Sequence, residues 1–170
     1  MLGFLNEILS WMRYLLVAVK NQNPFIDKII MANKFNTKLW NLGRQIEDDL
    51  LPKINSAFDC DFKRSDDIFD ILDFKDDTKK RIVEVKGRRI NSTQYDDTII
   101  TMGKLTEALM KIEIGYQVYF FFVFLDKTLY YPVNPETCDF QVKLTGTNHI
   151  PHYLIPIKDL IEFDENILLD

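Results

Sequence analysis

The sequence predicts an α/β fold in the order α-β-β-β-α-β, with an extra N-terminal helix and further C-terminal strands. Three observations carry that expectation. Leu39, Leu42, Ile46 and Leu50 recur at helical spacing after Asn36 and Thr37, either of which can cap a helix. Residues 69–74 and 81–86 are strand-like runs joined by the polar stretch 75–80, which reads as a turn. Residues 116–125 (YQVYFFFVFL) are the most apolar strand and the natural centre of a sheet.

The 170-residue length suits one main domain, and 46% apolar with 28% charged residues excludes a disordered or low-complexity chain. A net charge of −5 means that any nucleic-acid site must be a local patch. Cys60 and Cys138 form neither a CxxC pair nor a multi-bridge framework, so an intracellular, non-secreted setting is expected. Residues 1–30 are set apart as an amphipathic helical extension, and residues 31–170 as the main domain. Glu7 and Arg13 interrupt the apolar N-terminal stretch, and its uncharged run is shorter than the roughly 20 residues a bilayer span needs, so no membrane association is expected.

Each later element has its own signal. The first helix should end at Pro52, and residues 58–64 alternate apolar and polar like a half-buried strand. Asp97 can cap a second helix running to about Glu113, with Ile99, Met102, Leu105, Leu109 and Ile112 facing the core. Residues 128–133 read as another strand, and the tail as an edge strand with a short closing helix. The pair His149 and His152 reads as structural, because no third ligand lies nearby in the sequence.

The hairpin carries the chemistry. If it folds about Asp77, residue 74 faces 80, residue 72 faces 82 and Asp70 faces Glu84. Asp70, Glu84 and Lys86 then emerge on one side of the sheet, while Asp73, Val83 and Val85 emerge on the other. Two facing carboxylates repel unless a cation sits between them, and Mg²⁺ or Mn²⁺ takes oxygen ligands of this kind. Lys86 could hold an attacking water or neutralise a phosphoryl oxygen. Glu47 lies beside the apolar stripe of the first helix, one turn after Gly43.

Asp70 followed by Glu84-Val85-Lys86 resembles the PD-(D/E)xK nuclease superfamily, and within it the archaeal-type Holliday-junction resolvases and related viral and phage replication-repair nucleases. Gly43 and Glu47 on the first helix, and Arg64-Ser65 before the aspartate, are similar to motifs of those nucleases; Phe69 stands where proline is frequent. The resemblance covers roughly residues 36–125. It implies a restriction-endonuclease-like core with a central mixed β-sheet flanked by helices. It also implies catalysis by Asp70, Glu84 and Lys86, and metal binding by Asp70, Glu84, Glu47 and the Val85 carbonyl. Related nucleases often place a Gln or Lys on the second helix, which makes Lys104 a candidate.

Residues 75–89 hold the clearest basic concentration, so Lys79, Lys80, Arg88 and Arg89 are expected phosphate contacts, to which the resemblance adds Arg64 and Lys104. The expected function is Mg²⁺- or Mn²⁺-dependent hydrolysis of DNA phosphodiesters, on branched or junction DNA in replication, recombination or repair. Symmetric cutting of a junction would imply a homodimer. Two alternatives stay open: an RNA endonuclease, and a non-catalytic protein-interaction module on a nuclease scaffold.

Overall fold

In the computed structural model, which describes residues 36–64, 71–137, 141–145 and 149–165, the first element is helix α1, Thr37–Phe58. The chain divides into units Met1–Thr37 and Lys38–Asp170, and the elements that position the site belong to the second. The expected N-terminal helix and Cys138 lie outside the described residues, as does Asp70.

Helix α1 runs through Pro52 rather than ending there. A helix-interior proline costs about 3 kcal/mol. The two turns beyond it bury Ile54, Ala57 and Phe58 to 1% exposure or less, and each large apolar side chain so buried contributes roughly 1.5–3 kcal/mol. Burial therefore outweighs the lost hydrogen bond. The helix ends instead at Asp59, which takes a left-handed φ of 47° while the Cys60 N–H reaches back to the Asn55 carbonyl at 3.1 Å. Arg81 donates to the Phe58 carbonyl at 3.0 Å and satisfies another of the last acceptors. Only Lys63–Arg64, strand β1, remains of the strand expected over 58–64.

Strand β1 pairs antiparallel with β2 (Phe74–Asp76), and β2 with β3 (Arg81–Gly87). Strand β3 runs parallel to β5 (Gln117–Val123), which continues antiparallel to β6 (Thr128–Pro132) and, at the far edge, β9 (Ile161–Glu162). The result is a six-stranded mixed sheet with β3 and β5 at its centre. A second, antiparallel sheet has the order β4 (Asp97–Thr101), β8 (Ile150–Pro156), β7 (Val142–Thr145).

The helix expected from Asp97 is thus a strand followed by a shorter helix, α2, Met102–Glu113. The β-branched run Thr98-Ile99-Ile100-Thr101 explains the difference: Thr98 and Ile100 are buried in alternation, and β8 supplies ladder partners that a sequence reading cannot see. In the tail, β8 is the middle strand of its sheet rather than an edge, and the closing helix is a short 3₁₀ turn, Ile157–Asp159. Among the described residues no helix is long and apolar enough to cross a membrane.

Alternation along β3 and β5 sorts the two sides of the main sheet. Val83, Val85, Tyr119 and Phe121 pack with Leu50, Ile54 and Phe58 of α1. Ile82, Val118, Phe120 and Phe122 pack with Leu105 and Ala108 of α2 and with Tyr153 and Ile155 of β8. Gly87 ends β3 where α1 passes close: a Cβ there would stand 2.6 Å from Ile46 Cδ1.

The hairpin forms, but its register differs from a fold about Asp77. Phe74 pairs with Val83, Lys75 with Ile82 and Asp76 with Arg81. The turn is set by Asp76, whose Oδ1 accepts the N–H groups of Thr78 (2.9 Å) and Lys79 (3.0 Å), with Lys80 at φ 52° before the chain returns. Asp76 Oδ2 also accepts the Asp61 N–H at 2.8 Å. These bonds from Asp61, Lys79 and Thr78 hold the Asp76 carboxyl below its ordinary range despite its burial. Its contribution is present above the ordinary aspartate pKa and lost as the pH falls through the lower folded value. Asp76→Ala should lower unfolding stability by about 2 kcal/mol, read from the urea midpoint at neutral pH, and the deficit should shrink in acid.

Candidate functional site

The register decides which carboxylates meet. Continuing the β2–β3 pairing by one step brings Asp73 opposite Glu84. The shift from the expected register is odd, and an odd shift exchanges the two faces of a strand. Asp73, which the expected register placed on the far side, is therefore the carboxylate beside Glu84. Its Oδ2 accepts the Val85 N–H at 2.8 Å, standing in for a ladder carbonyl where β2 has already ended. Whether Asp70 joins them concerns a residue outside those described.

Glu84 sits on the α2 side of β3 with 0% exposure. Lys104, in the first turn of α2, donates to Glu84 Oε2 at 2.6 Å and to the Ile71 carbonyl, and lies 3.7 Å from Asp73 Oδ1. Lys86, two residues along the strand on the same face, places its ammonium 2.9 Å from Glu84 Oε1. That contact is an ion pair without hydrogen-bond geometry, so Oε1 is a buried carboxylate oxygen with no directed donor. The sequence named Lys104 and Lys86 as candidates, and the fold brings both onto Glu84.

Glu47 reaches the neighbourhood from α1. Arg64 donates to its Oε2, Arg44 lies 3.3 Å from the same atom, and Arg64 also binds Asp48 at 2.7 Å while lying over the Phe74 ring. Arg64, expected on phosphate, here orients Glu47. A Cβ at Gly43 would meet none of the described residues within 4 Å, so the glycine is not demanded by space.

Burial, then the nearby Asp73 charge, raises the Glu84 carboxyl to about 7 against the pull of Lys86 and Lys104. Glu47 is also raised to about 7, by burial and then Asp73, with Arg44 and Lys86 opposing. For Lys86 burial favours the neutral amine, but Glu84 and then Asp73 reverse that and the ammonium is held more firmly than usual.

The other basic residues do not form one patch. Lys79 pairs with Asp59 at 3.0 Å and Lys80 sits in the hairpin turn. Arg88 and Arg89 follow the opposite end of β3, about 20 Å away at strand rise. The Arg88 guanidinium donates to Thr98 Oγ1 at 3.0 Å and to the Ile99 carbonyl, and lies over Phe122. It ties β3 to β4, and burial lowers its pKa. Arg89 is exposed. His152 Nδ1 lies 2.8 Å from Thr145 Oγ1 and 2.9 Å from the Ile150 carbonyl.

Asp73 is the residue that the expected register excluded by parity and the observed register brings in. The signal available was Asp76, an aspartate poised to accept N–H groups two and three residues on, which keeps Asp76 paired with Arg81 and centres the reversal between Thr78 and Lys79, later in the chain than a fold about Asp77 assumes. Among the described residues no three His, Cys, Asp or Glu side chains are grouped to hold a metal ion. Asp73 and Glu84 offer two adjacent carboxylates, and a hard cation such as Mg²⁺ is commonly held by one or two with water completing its shell. The undirected Glu84 Oε1 is an oxygen suited to such an ion. Comparison of the chain with protein-family models, with curated proteins and with solved structures finds no match to any of them.

The raised carboxyls fix the sign of a pH effect. A folded carboxyl with an elevated pKa binds its proton more tightly than the unfolded chain does, so stability rises as pH falls through about 7 towards the ordinary glutamate value of 4.5. The melting temperature of the metal-free protein should therefore increase between pH 8 and about 5.5. Glu84→Gln should remove about half of that slope, Glu47 supplying the rest, and an unchanged slope in the variant would refute the assignment.

Proposed function

We propose that this chain is a divalent-metal-dependent nuclease with a restriction-endonuclease-like core, hydrolysing phosphodiester bonds of DNA. The observation that carries the reading is the wholly buried Glu84, set beside Asp73 with Lys86 against its undirected oxygen. An isolated buried carboxylate costs several kcal/mol, and adjoining carboxylates add repulsion, so the cluster is hard to explain by stability alone. The resemblance of Glu84-Val85-Lys86 and Glu47 to PD-(D/E)xK nucleases gives that cluster a chemistry. The mixed sheet between α1 and α2 is compatible with such a core.

Asp73 and Glu84 are the described residues that would hold Mg²⁺ or Mn²⁺, with Asp70 as the further ligand that the resemblance implies. Such an ion, when bound, lowers the pKa of a water and polarises the phosphate. The chain supplies the rest. Lys86, firmly protonated and partly exposed, offsets negative charge on a phosphoryl oxygen. The Val85 N–H holds Asp73 in orientation, and Arg64 holds Glu47. A second reading, a non-catalytic module, draws on one observation: Lys86 and Lys104 already balance Asp73 and Glu84 in charge.

Linear, single-stranded, flap and four-way DNA, with an RNA counterpart, incubated with Mg²⁺ should show cleavage of at least one DNA form. Glu84→Gln and Asp73→Asn should each reduce the rate by about 100-fold or more, and Lys86→Ala by about 100-fold, with folding checked by circular dichroism. Cleavage of RNA alone would move the substrate class. Absence of cleavage, together with no Mn²⁺ binding by calorimetry, would favour the module.

A further inference from the structure

The cation already inside the carboxylate pair is the ammonium of Lys104. It contacts Glu84 Oε2 at 2.6 Å, stands 3.7 Å from Asp73 Oδ1 and donates to the Ile71 carbonyl. Two carboxylates and a backbone carbonyl are the donor types a hard divalent ion selects. Lys86 differs, because its ion-pair contact is with Glu84 Oε1 and its side chain is twice as exposed, 34% against 17% for Lys104.

Charge and helix position both bear on Lys104. Among the described residues in mutual contact, Asp73 and Glu84 are balanced by Lys86 and Lys104, so a divalent ion added to these four groups would leave them with two excess positive charges. Like charges in a buried site repel strongly, and the set relieves that most simply by losing one ammonium. Lys104 occupies the first turn of α2, where the helix dipole disfavours a cation, so the carboxylates are what keep it inward. Its four-carbon stem and partial exposure give it a route to solvent.

We propose that Lys104 is an internal counter-ion that a divalent metal must displace, so that metal loading is an exchange in which the Lys104 side chain leaves Asp73 and Glu84. The inference rests on the metal-dependent reading above and adds a gate to it. No covalent bond is made or broken; one cation replaces another.

Calorimetry with Mn²⁺ on the intact chain should show Lys104→Gln and Lys104→Met binding about tenfold or more tightly than wild type, and Asp73→Asn binding more weakly. Glutamine retains a donor for Glu84 and the Ile71 carbonyl, which guards against loss of fold. In wild type, amine acetylation read by mass spectrometry should find Lys104 protected without metal and modified once Mn²⁺ is added, while Lys53 reacts equally in both. Equal Mn²⁺ affinity in wild type and both Lys104 variants, with Lys104 labelling unchanged by metal, would overturn the gate and leave the metal site standing. No Mn²⁺ binding by wild type or either Lys104 variant would remove the metal reading and the gate with it. Should both variants be unfolded by circular dichroism, the wild-type labelling pattern decides alone.

Discussion

Glu84 has no solvent contact, lies on one of the two central strands, and is flanked by a second carboxylate. A charge in that position must be matched by cations delivered from nearby, and among the described residues they come from two directions. One is along β3, where same-face alternation presents Lys86. The other is across the sheet face, where α2 presents Lys104. The placement of α2 is thus constrained twice: by the apolar contacts of Leu105 and Ala108, and by the reach of a lysine in its first turn. Removing either lysine leaves a buried carboxylate short of compensation, which is costlier than never having built the pair.

The site also depends on a hydrogen-bonded turn at the other end of the hairpin. Asp76 accepts three backbone N–H groups, from Asp61, Thr78 and Lys79, and so fixes where the chain reverses. That sets the β2–β3 register, and the register selects Asp73 as the neighbour of Glu84. A local polar motif several residues away thereby chooses the chemistry of the cluster, because strand parity turns any odd shift of register, here three residues, into a change of face.

Basic side chains that look in sequence like a phosphate-binding run are in large part internal fittings. Arg81 satisfies the end of α1 and bonds Gln117, Arg88 binds β4, and Arg64 holds Glu47 and Asp48. Lys86 and Lys104 are committed to Glu84. In an acidic chain of net charge −5, contact with a polyanion would then rely on the remaining exposed cations such as Arg89 and on exchange at the carboxylate cluster, and would weaken steeply with salt.

Much of the architecture was legible in one dimension. The continuous burial of β5 and β6, the apolar stripe of α1 from Ile46 onward and the polar hairpin turn each follow from nearest-neighbour pattern, whereas Leu39 and Leu42, read on the same stripe, are exposed. Glu84, Lys86, Glu47 and Lys104 were likewise visible as candidates. The continuation of α1 past Pro52, the conversion of residues 97–101 from helix to strand, and the entry of Asp73 into the site were not. Each is decided by a partner distant in sequence: the sheet that buries Ile54 and Phe58, the β8 ladder, and the Asp61 and Val85 N–H groups that seek Asp76 and Asp73. The amino-acid order by itself determined which residues could carry charge into the core and which faces would be apolar. Only the tertiary structure decided which carboxylates and ammoniums share a point, because pair energies between charges depend on separations that the chain acquires on folding.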